Sequence, residues 1–579
     1  MENTIPKLFF SVALKYSHRT ALSYKKEGAY LNLSYKKLAE KIEQLRNVLQ
    51  GFGVLNGDKI AILSENRPEW AISDLAIMAS GGIVVPLHST FSSKVICNVL
   101  KHCQAKILFV SNIELLNKVL FNKESISYLE KIILFEKNSI DGQNIFLNKI
   151  TTWETIFLNK TENNFDRQLL KSDDPCSIIY TSGTTGEPKG AILSHKNFLS
   201  NVEAVYKVVP ITEKDVFLSF LPLSHVLERM AGHYMPLLHG AKIVYSEGIK
   251  HLSENMKEVK PTVMISVPRI FEKFHDVIWD KINSSSSVKQ TIFKWALKQK
   301  MGSFKYKVVD ILVFKKIRQA MGGRFRFIVS GGASLNKQVA KFFNKLGILI
   351  LEGYGLTETS PVVAVNHINN HKFGTVGQIV SGTDVIISKE KEILVKGPNV
   401  FLGYYNNNKE TQKCFNENNW FCTGDLGFLD EHGFLTVIGR KKEMLVTSGG
   451  KNVWPEQIEN FLNNDKFISQ SMVVGNKRRF ISALIVPDWQ ELEIFFKGKN
   501  LPFQNHFNLV KTPEVIALFN ERLETKINPE LNDYEKIKKI SLLPNEFSQI
   551  QEELTPTLKL RRHIIEKHHQ NAIESMYIN

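Results

Sequence analysis

Short apolar runs, separated by stretches of helical periodicity, set the pattern of the first third of the chain. Lys59-Ile60-Ala61-Ile62-Leu63-Ser64 reads as a buried strand, and Asn66-Arg67-Pro68-Glu69 follows as a capped helix start with proline in its first turn. Trp70, Leu75, Ile77 and Met78 then recur at roughly helical spacing until Gly81-Gly82 ends the helix. Ile83-Val84-Val85-Pro86, Ile107-Leu108-Phe109-Val110 and Ile132-Ile133-Leu134-Phe135 repeat the strand signal. Strands alternating with helices predict right-handed β-α-β units and a mainly parallel sheet, an α/β fold.

The pattern returns further on. Arg326-Phe327-Ile328-Val329-Ser330 runs into the tight turn Gly331-Gly332-Ala333, and Ile348-Leu349-Ile350-Leu351-Glu352 runs into Gly353-Tyr354-Gly355-Leu356-Thr357-Glu358-Thr359. Both place candidate residues at strand ends, where open parallel sheets bind ligands. From Gly374 to Gly439 the β segments are short and closely separated by turns (Gly377-Gln378-Ile379, Val385-Ile386-Ile387, Ile393-Leu394-Val395, Gly403-Tyr404-Tyr405), as in a small antiparallel barrel. Pro455-Glu456-Gln457-Ile458-Glu459 starts a late helix, with acids near its positive end. At the N-terminus, Pro6 and Thr4 mark a docking helix; the apolar run from Leu8 to Leu14 is too short, and wrongly flanked, for a signal peptide. No stretch reaches the roughly 18 apolar residues of a membrane span.

Composition narrows the class without choosing a function. A chain of 579 residues predicts two or more domains, and 43% hydrophobic with 23% charged residues describes a globular protein with ample core. Lys and Arg number 74 against 58 acids, a net charge of +16 that suits nucleotides, CoA, anionic lipid headgroups or nucleic acid. The five cysteines (Cys97, Cys103, Cys176, Cys414, Cys422) show neither C-x-x-C spacing nor pairing with histidine, which predicts buried thiols in a reducing cytoplasm.

The most specific stretch is Tyr180-Thr181-Ser182-Gly183-Thr184-Thr185-Gly186-Glu187-Pro188-Lys189-Gly190, bracketed by apolar runs. Glycines let backbone N–H groups approach phosphate oxygens, hydroxyls donate to them, and Lys189 supplies a mobile charge. It is not a Walker A loop, because Lys189 precedes Gly190 and a strand rather than a helix. The ordered string resembles the phosphate-binding signature of the adenylate-forming (AMP-binding) superfamily. The segments at 353–359, 424–425, 439–450 and 555–559 follow in that family's order.

The resemblance implies roles. Thr181, Ser182, Gly183, Thr184, Thr185, Gly186 and Lys189 would hold the phosphates of ATP; Gly331, Gly332 and Ala333 would face the adenine and acyl sides; Tyr354 would stack on adenine, with Gly355 beside it in the nucleotide site. Thr357 would hold the α-phosphate, Glu358 with Thr181 would bind Mg²⁺, Asp425 would accept from both ribose hydroxyls, and Arg440 would bind the nucleotide. Lys442 falls at the family's hinge, Gly449-Gly450 on the loop lining the CoA thiol path, and Lys559 at the catalytic lysine, where Leu558 replaces a frequent glycine. His225, within Pro222-Leu223-Ser224-His225-Val226-Leu227-Glu228-Arg229-Met230, would lie by the carboxylate site and acyl tunnel. That wording, with Val267-Pro268-Arg269-Ile270-Phe271-Glu272-Lys273, looks like the long-chain acyl-CoA synthetase branch.

The implied architecture is a large N-terminal adenylation domain, 1–440, of mainly parallel β-α-β subdomains with a small β-barrel, and a mobile α+β lid, 441–579, carrying Lys559. The implied activity is fatty acid to acyl-CoA through an acyl-adenylate, with carrier-protein transfer, adenylation of another acid, or a silent lipid-binding homologue as alternatives. Residues 282–324 read as an insertion: from Lys294 to Arg324 there are nine Lys/Arg and one acid, Asp310, among aromatic and branched residues. Such helices suit an anionic membrane surface and equally a solvated basic face; nucleic acid is not expected, since no nucleic-acid motif accompanies the charge. The expected location is cytoplasmic, or peripheral on the inner face of the cell membrane, with homodimer formation left open.

Overall fold

The computed structural model describes residues 3–122, 126–136, 147–158, 169–181, 188–498, 503, 505–555 and 559–578. Ser182, Gly183, Thr184, Thr185 and Gly186 of the phosphate loop, and Leu558, lie outside the described residues.

Two large sheets carry the first four hundred residues. The first runs Gly403–Tyr404, Lys189–Ser194, Pro175–Thr181, Ile83–Leu87, Lys59–Leu63, Ile107–Val110, Lys131–Leu134, Ile150–Thr152. The second runs Gln378–Ile379, Val362–Val365, Ile350–Gly355, Phe327–Ser330, Val263–Ser266, Val216–Ser219, Lys242–Tyr245, Thr20–Lys26, Ala29–Ser34. Central pairings are parallel, as the alternation predicts, and the edges are antiparallel except at Ile150–Thr152, which pairs parallel with Lys131–Leu134. The Pro68–Ala79 helix begins at its proline and is buried at every residue except Glu69. It touches strands of both sheets, so one apolar core joins them, with Trp70 at its centre. Gly81-Gly82 follows the helix, Gly81 at φ +83°.

Two segments expected in the small barrel, Gln378–Ile379 and Gly403–Tyr404, instead pair with the edges of the large sheets. Asp384–Ile387, Glu392–Lys396, Phe421–Leu429 and Leu435–Arg440 form a four-stranded antiparallel sheet. Beyond Arg440 the chain builds a separate three-stranded sheet, Ile468–Val474, Ile481–Pro487 and Ile537–Leu542, with its own apolar clusters. The basic insertion is helical: Ser287–Lys298, Phe304–Val309, a π-turn at Asp310–Phe314, and Lys315–Ala320. Phe293, Ala296, Val309 and Phe314 anchor it in the core. All five cysteines are free thiols, Cys97, Cys103 and Cys176 buried. Among the described residues no helix is long and apolar enough to cross a membrane.

Candidate active site

Strand ends from both large sheets, and the turn beyond Leu554, converge on one cavity of about 960 Å³. Thr181 and Lys189 face each other across the mouth of their hairpin, and both line it. Lys189 Nζ donates to Glu410 and stands 5.6 Å from the Tyr404 ring centroid. Lys413 Nζ donates to the other Glu410 oxygen at 2.7 Å. Held by Lys189 first and Lys413 second, the Glu410 carboxyl is drawn down to about 2. Tyr404, on the strand beside Lys189–Ser194, donates its hydroxyl to Glu358 Oε1 at 2.7 Å. The Thr181 hydroxyl and Glu358 carboxylate are hard oxygen donors, the set that suits a Mg²⁺ ion keeping waters and substrate phosphate oxygens around it.

The turn carrying Thr357 and Glu358 leaves the Ile350–Gly355 strand through a glycine with no substitute. A Cβ on Gly355 would stand 1.7 Å from the Pro361 carbonyl oxygen. Tyr354, before it, donates its hydroxyl to Asp425 Oδ2 at 2.7 Å, and Arg440 Nε stands 3.1 Å from Asp425 Oδ1. Asp425 and Arg440 are register partners on adjacent strands, so the pair is built into the sheet. Burial pushes the Asp425 carboxyl above its usual range, against the pull of Arg440.

Lys559 lines the same cavity. Its N–H donates to Thr555 Oγ1 at 3.0 Å and its carbonyl accepts from Thr555 N at 2.8 Å, closing a tight turn. Desolvation first, and Arg440 second, lower the ammonium's pKa, while Glu456, Asp425 and Glu443 oppose them. Among the described residues it forms no side-chain ion pair, and its charge reaches both His225 and Asp425. His225 is held down to about 4, by burial and then by Lys559, and is therefore neutral near pH 7. Arg562, three residues on, donates from both terminal nitrogens to Glu459 at 2.8 and 2.5 Å and so pins the lysine's turn to the Pro455–Asn463 helix.

Inward from His225 the wall turns apolar, with Val226, Leu227, Ala231 and Met235 followed by strand side chains. Gly331, Gly332 and Ala333 stand at the entrance to this arm; a Cβ on Gly331 would come within 2.9 Å of Leu227 Cδ2. Gly355, Thr357 and Lys442 also line the cavity. Gly449 and Gly450 are exposed on a separate hairpin, where Gly450 N donates to Thr447 O at 2.9 Å, and they are not among the cavity's walls. The expected CoA-path loop is thus away from the site in this arrangement.

Sequence reading missed His88, Tyr404, Glu410 and Arg562. His88 is buried beside His225, ring centroids 6.4 Å apart, and its Nδ1 shares a 2.6 Å hydrogen bond with Ser224 Oγ. Burial lowers it to about 3. Arg562 was legible only as part of a basic run.

The chain matches the AMP-binding enzyme family over residues 9–405 and the AMP-binding enzyme C-terminal domain over 442–579. It is 35% identical to the long-chain-fatty-acid–CoA ligase FadD15 of Mycobacterium bovis, over 95% of this chain and 93% of that one. It is 28% identical to the long-chain-fatty-acid–[acyl-carrier-protein] ligase AEE15 of Arabidopsis thaliana, over 99% and 84%. The crystal structure of the anthranilate CoA ligase AuaEII in complex with anthranoyl-AMP superposes with a TM-score of 0.78 over 99% of this chain and 98% of that one, at 19% identity, which speaks for the fold alone. Matched over 9–405 and again over 442–579, and 35% identical to a ligase across 95% of its length, this chain belongs to the AMP-binding enzyme family.

Proposed function

We propose that the protein is a long-chain fatty acid–CoA ligase that forms acyl-CoA from a fatty acid, ATP and CoA, through an acyl-adenylate, releasing AMP and pyrophosphate. The observation that carries this reading is the single cavity. One end is lined by Lys189, Glu358, Tyr354 and Arg440, the other is apolar, and the charge of Lys559 acts on both His225 and Asp425.

A fatty carboxylate is ionised near neutrality, so its attack on the α-phosphorus of ATP needs no general base. The protein's work is positioning and charge neutralisation. Lys189 exchanges Glu410 for the leaving phosphates, Thr357 donates to the α-phosphate, and Lys559 draws the carboxylate and α-phosphate oxygens together. Asp425 accepts from the ribose while Tyr354, fixed by its bond to Asp425, borders the adenine. Thr181 and Glu358 would hold Mg²⁺, which supplies charge screening for the triphosphate. Neutral His225 adds no charge to compete with Lys559 for the incoming carboxylate.

In the second half-reaction the CoA thiolate attacks the mixed anhydride and AMP leaves. We read residues 1–440 as the adenylation body and 441–579 as a lid that turns about Lys442. That turn would withdraw Lys559 and bring the exposed Gly449-Gly450 hairpin to the pantetheine path. ATP–pyrophosphate exchange dependent on fatty acid, followed by acyl-CoA on adding CoA, is the expected result. Acyl transfer to carrier protein in place of CoA would favour the reading suggested by the plant relative, and no exchange with any fatty acid would refute both.

A peripheral contact with an anionic membrane accompanies this reading. Its support is Phe304, Ile311 and Leu312, exposed at 81%, 64% and 62%, interleaved with Lys305, Lys307, Lys315 and Lys316. Flotation with vesicles containing phosphatidylserine is expected for the wild type and lost when Phe304, Ile311 and Leu312 become serine; equal flotation would refute it.

A further inference from the structure

The apolar arm of the cavity has a floor. Strand alternation points Phe217, then Val263, Ile265 and Val267, then Phe327, Val329 and Gly331 into the cavity, while their even-numbered neighbours Leu218, Met264 and Ile328 face the other side of the sheet. Register pairs Phe217 with Val263 and Val263 with Phe327, so these three form one row across three parallel strands. Ile265 and Val329 form the next row toward Gly331. From Gly331 to Phe327 the strand covers about 13 Å.

The far end is closed. Phe217, Val263 and Phe327 are at most 1% exposed, and Val209 and Ile211, which line the same cavity, 2% and 3%. A polar tie backs the row: Arg326 Nη1 donates to Asp215 Oδ2 at 2.6 Å, Thr262 Oγ1 donates to Asp215 Oδ1 at 2.7 Å, and Val216 N donates to Thr262 Oγ1 at 2.9 Å. Each strand's member of the tie immediately precedes its floor residue: Val216 before Phe217, Thr262 before Val263, Arg326 before Phe327. Arg326 Nη2 also donates to the Pro210 carbonyl at 3.3 Å, fastening the Val209–Ile211 segment to that end.

Resting on the fatty-acid reading above, we propose that Phe217, Val263 and Phe327 are the specificity-determining floor of a blind acyl tunnel. They set the longest chain the enzyme adenylates, and the Asp215–Thr262–Arg326 tie holds the floor shut. A methyl end that reaches this row meets packed side chains, and the adjoining tie, with Asp215 and Thr262 buried, cannot be pushed apart without stranding buried donors and acceptors.

The test is fatty-acid-dependent pyrophosphate exchange across saturated acids of increasing length, with wild type, Phe327→Ala, Phe327→Leu and Ile265→Phe, and thermal melting to confirm folding. Wild type is expected to fall off by about tenfold or more per methylene once the ceiling is passed. Phe327→Ala and, less strongly, Phe327→Leu should move that fall-off to longer acids, and Ile265→Phe to shorter ones. An unmoved fall-off in folded Phe327→Leu and Ile265→Phe overturns the floor while leaving the ligase reading standing. Wild type inactive with every fatty acid overturns the ligase reading and the floor with it.

Discussion

His225 and Arg229 stand four residues apart in one segment, yet the first lines the cavity and the second is sealed between the sheets. Arg229 pairs with Asp74, donates to Ser177 Oγ at 2.6 Å, and is surrounded by the rings of Trp70, Phe198 and Tyr234. Asp74 also accepts from the Tyr234 hydroxyl at 2.9 Å. At the cavity wall Arg440 is likewise paired, with the buried Asp425 behind it, but Lys559 on the same wall is exposed and has no side-chain ion pair among the described residues. A buried ion pair enclosed by protein groups specifies packing; a cation on a cavity wall without an ion-pair partner is open to an anion that arrives. The same residue types are thus sealed in one region and line a cavity in the other, and what separates them is access.

The largest effect that would sharpen this contrast lies in the sealed pair. Arg229→Met leaves Asp74 buried without its counter-charge and should cost about 3–5 kcal/mol of stability by denaturant unfolding. Replacing Asp74 with leucine in the same protein should return most of that loss, and exchange activity per folded molecule should stay within about twofold. A loss of activity without a loss of stability would erase the distinction. A smaller effect, of the opposite kind, is expected in the cavity. Asp425→Asn should leave the melting temperature nearly unchanged while raising KM for ATP by about five- to thirtyfold, the scale of one or two kcal/mol of lost ribose contacts. Steady-state kinetics against ATP check this.

How much of this was legible in the sequence follows from range. The Pro175–Thr181 and Lys189–Ser194 hairpin, the Pro68 helix and the parallel order of strands rest on local patterns, and the structure contains them. Lys189's partner Glu410 lies 221 residues away and His88's partner Ser224 lies 136 away, so no local spacing could have joined them. The short segments Gln378–Ile379 and Gly403–Tyr404 carry too few residues to name a partner, and the large sheets' open edges take them. Asp425 was legible only through family resemblance. Its bond to Tyr354 and its pairing with Arg440 are what place it in the site.

The central claim of the proposal is that Lys559 serves adenylation while residues 441–579 are in the arrangement seen here, and one measurement tests it directly. ATP–pyrophosphate exchange with palmitate and Mg²⁺ is compared in wild type and Lys559→Ala, alongside thioester formation from preformed acyl-adenylate and CoA. The account predicts exchange reduced by about a hundredfold or more in the variant, with thioester formation and melting temperature nearly unchanged. Exchange retained in folded Lys559→Ala would contradict it.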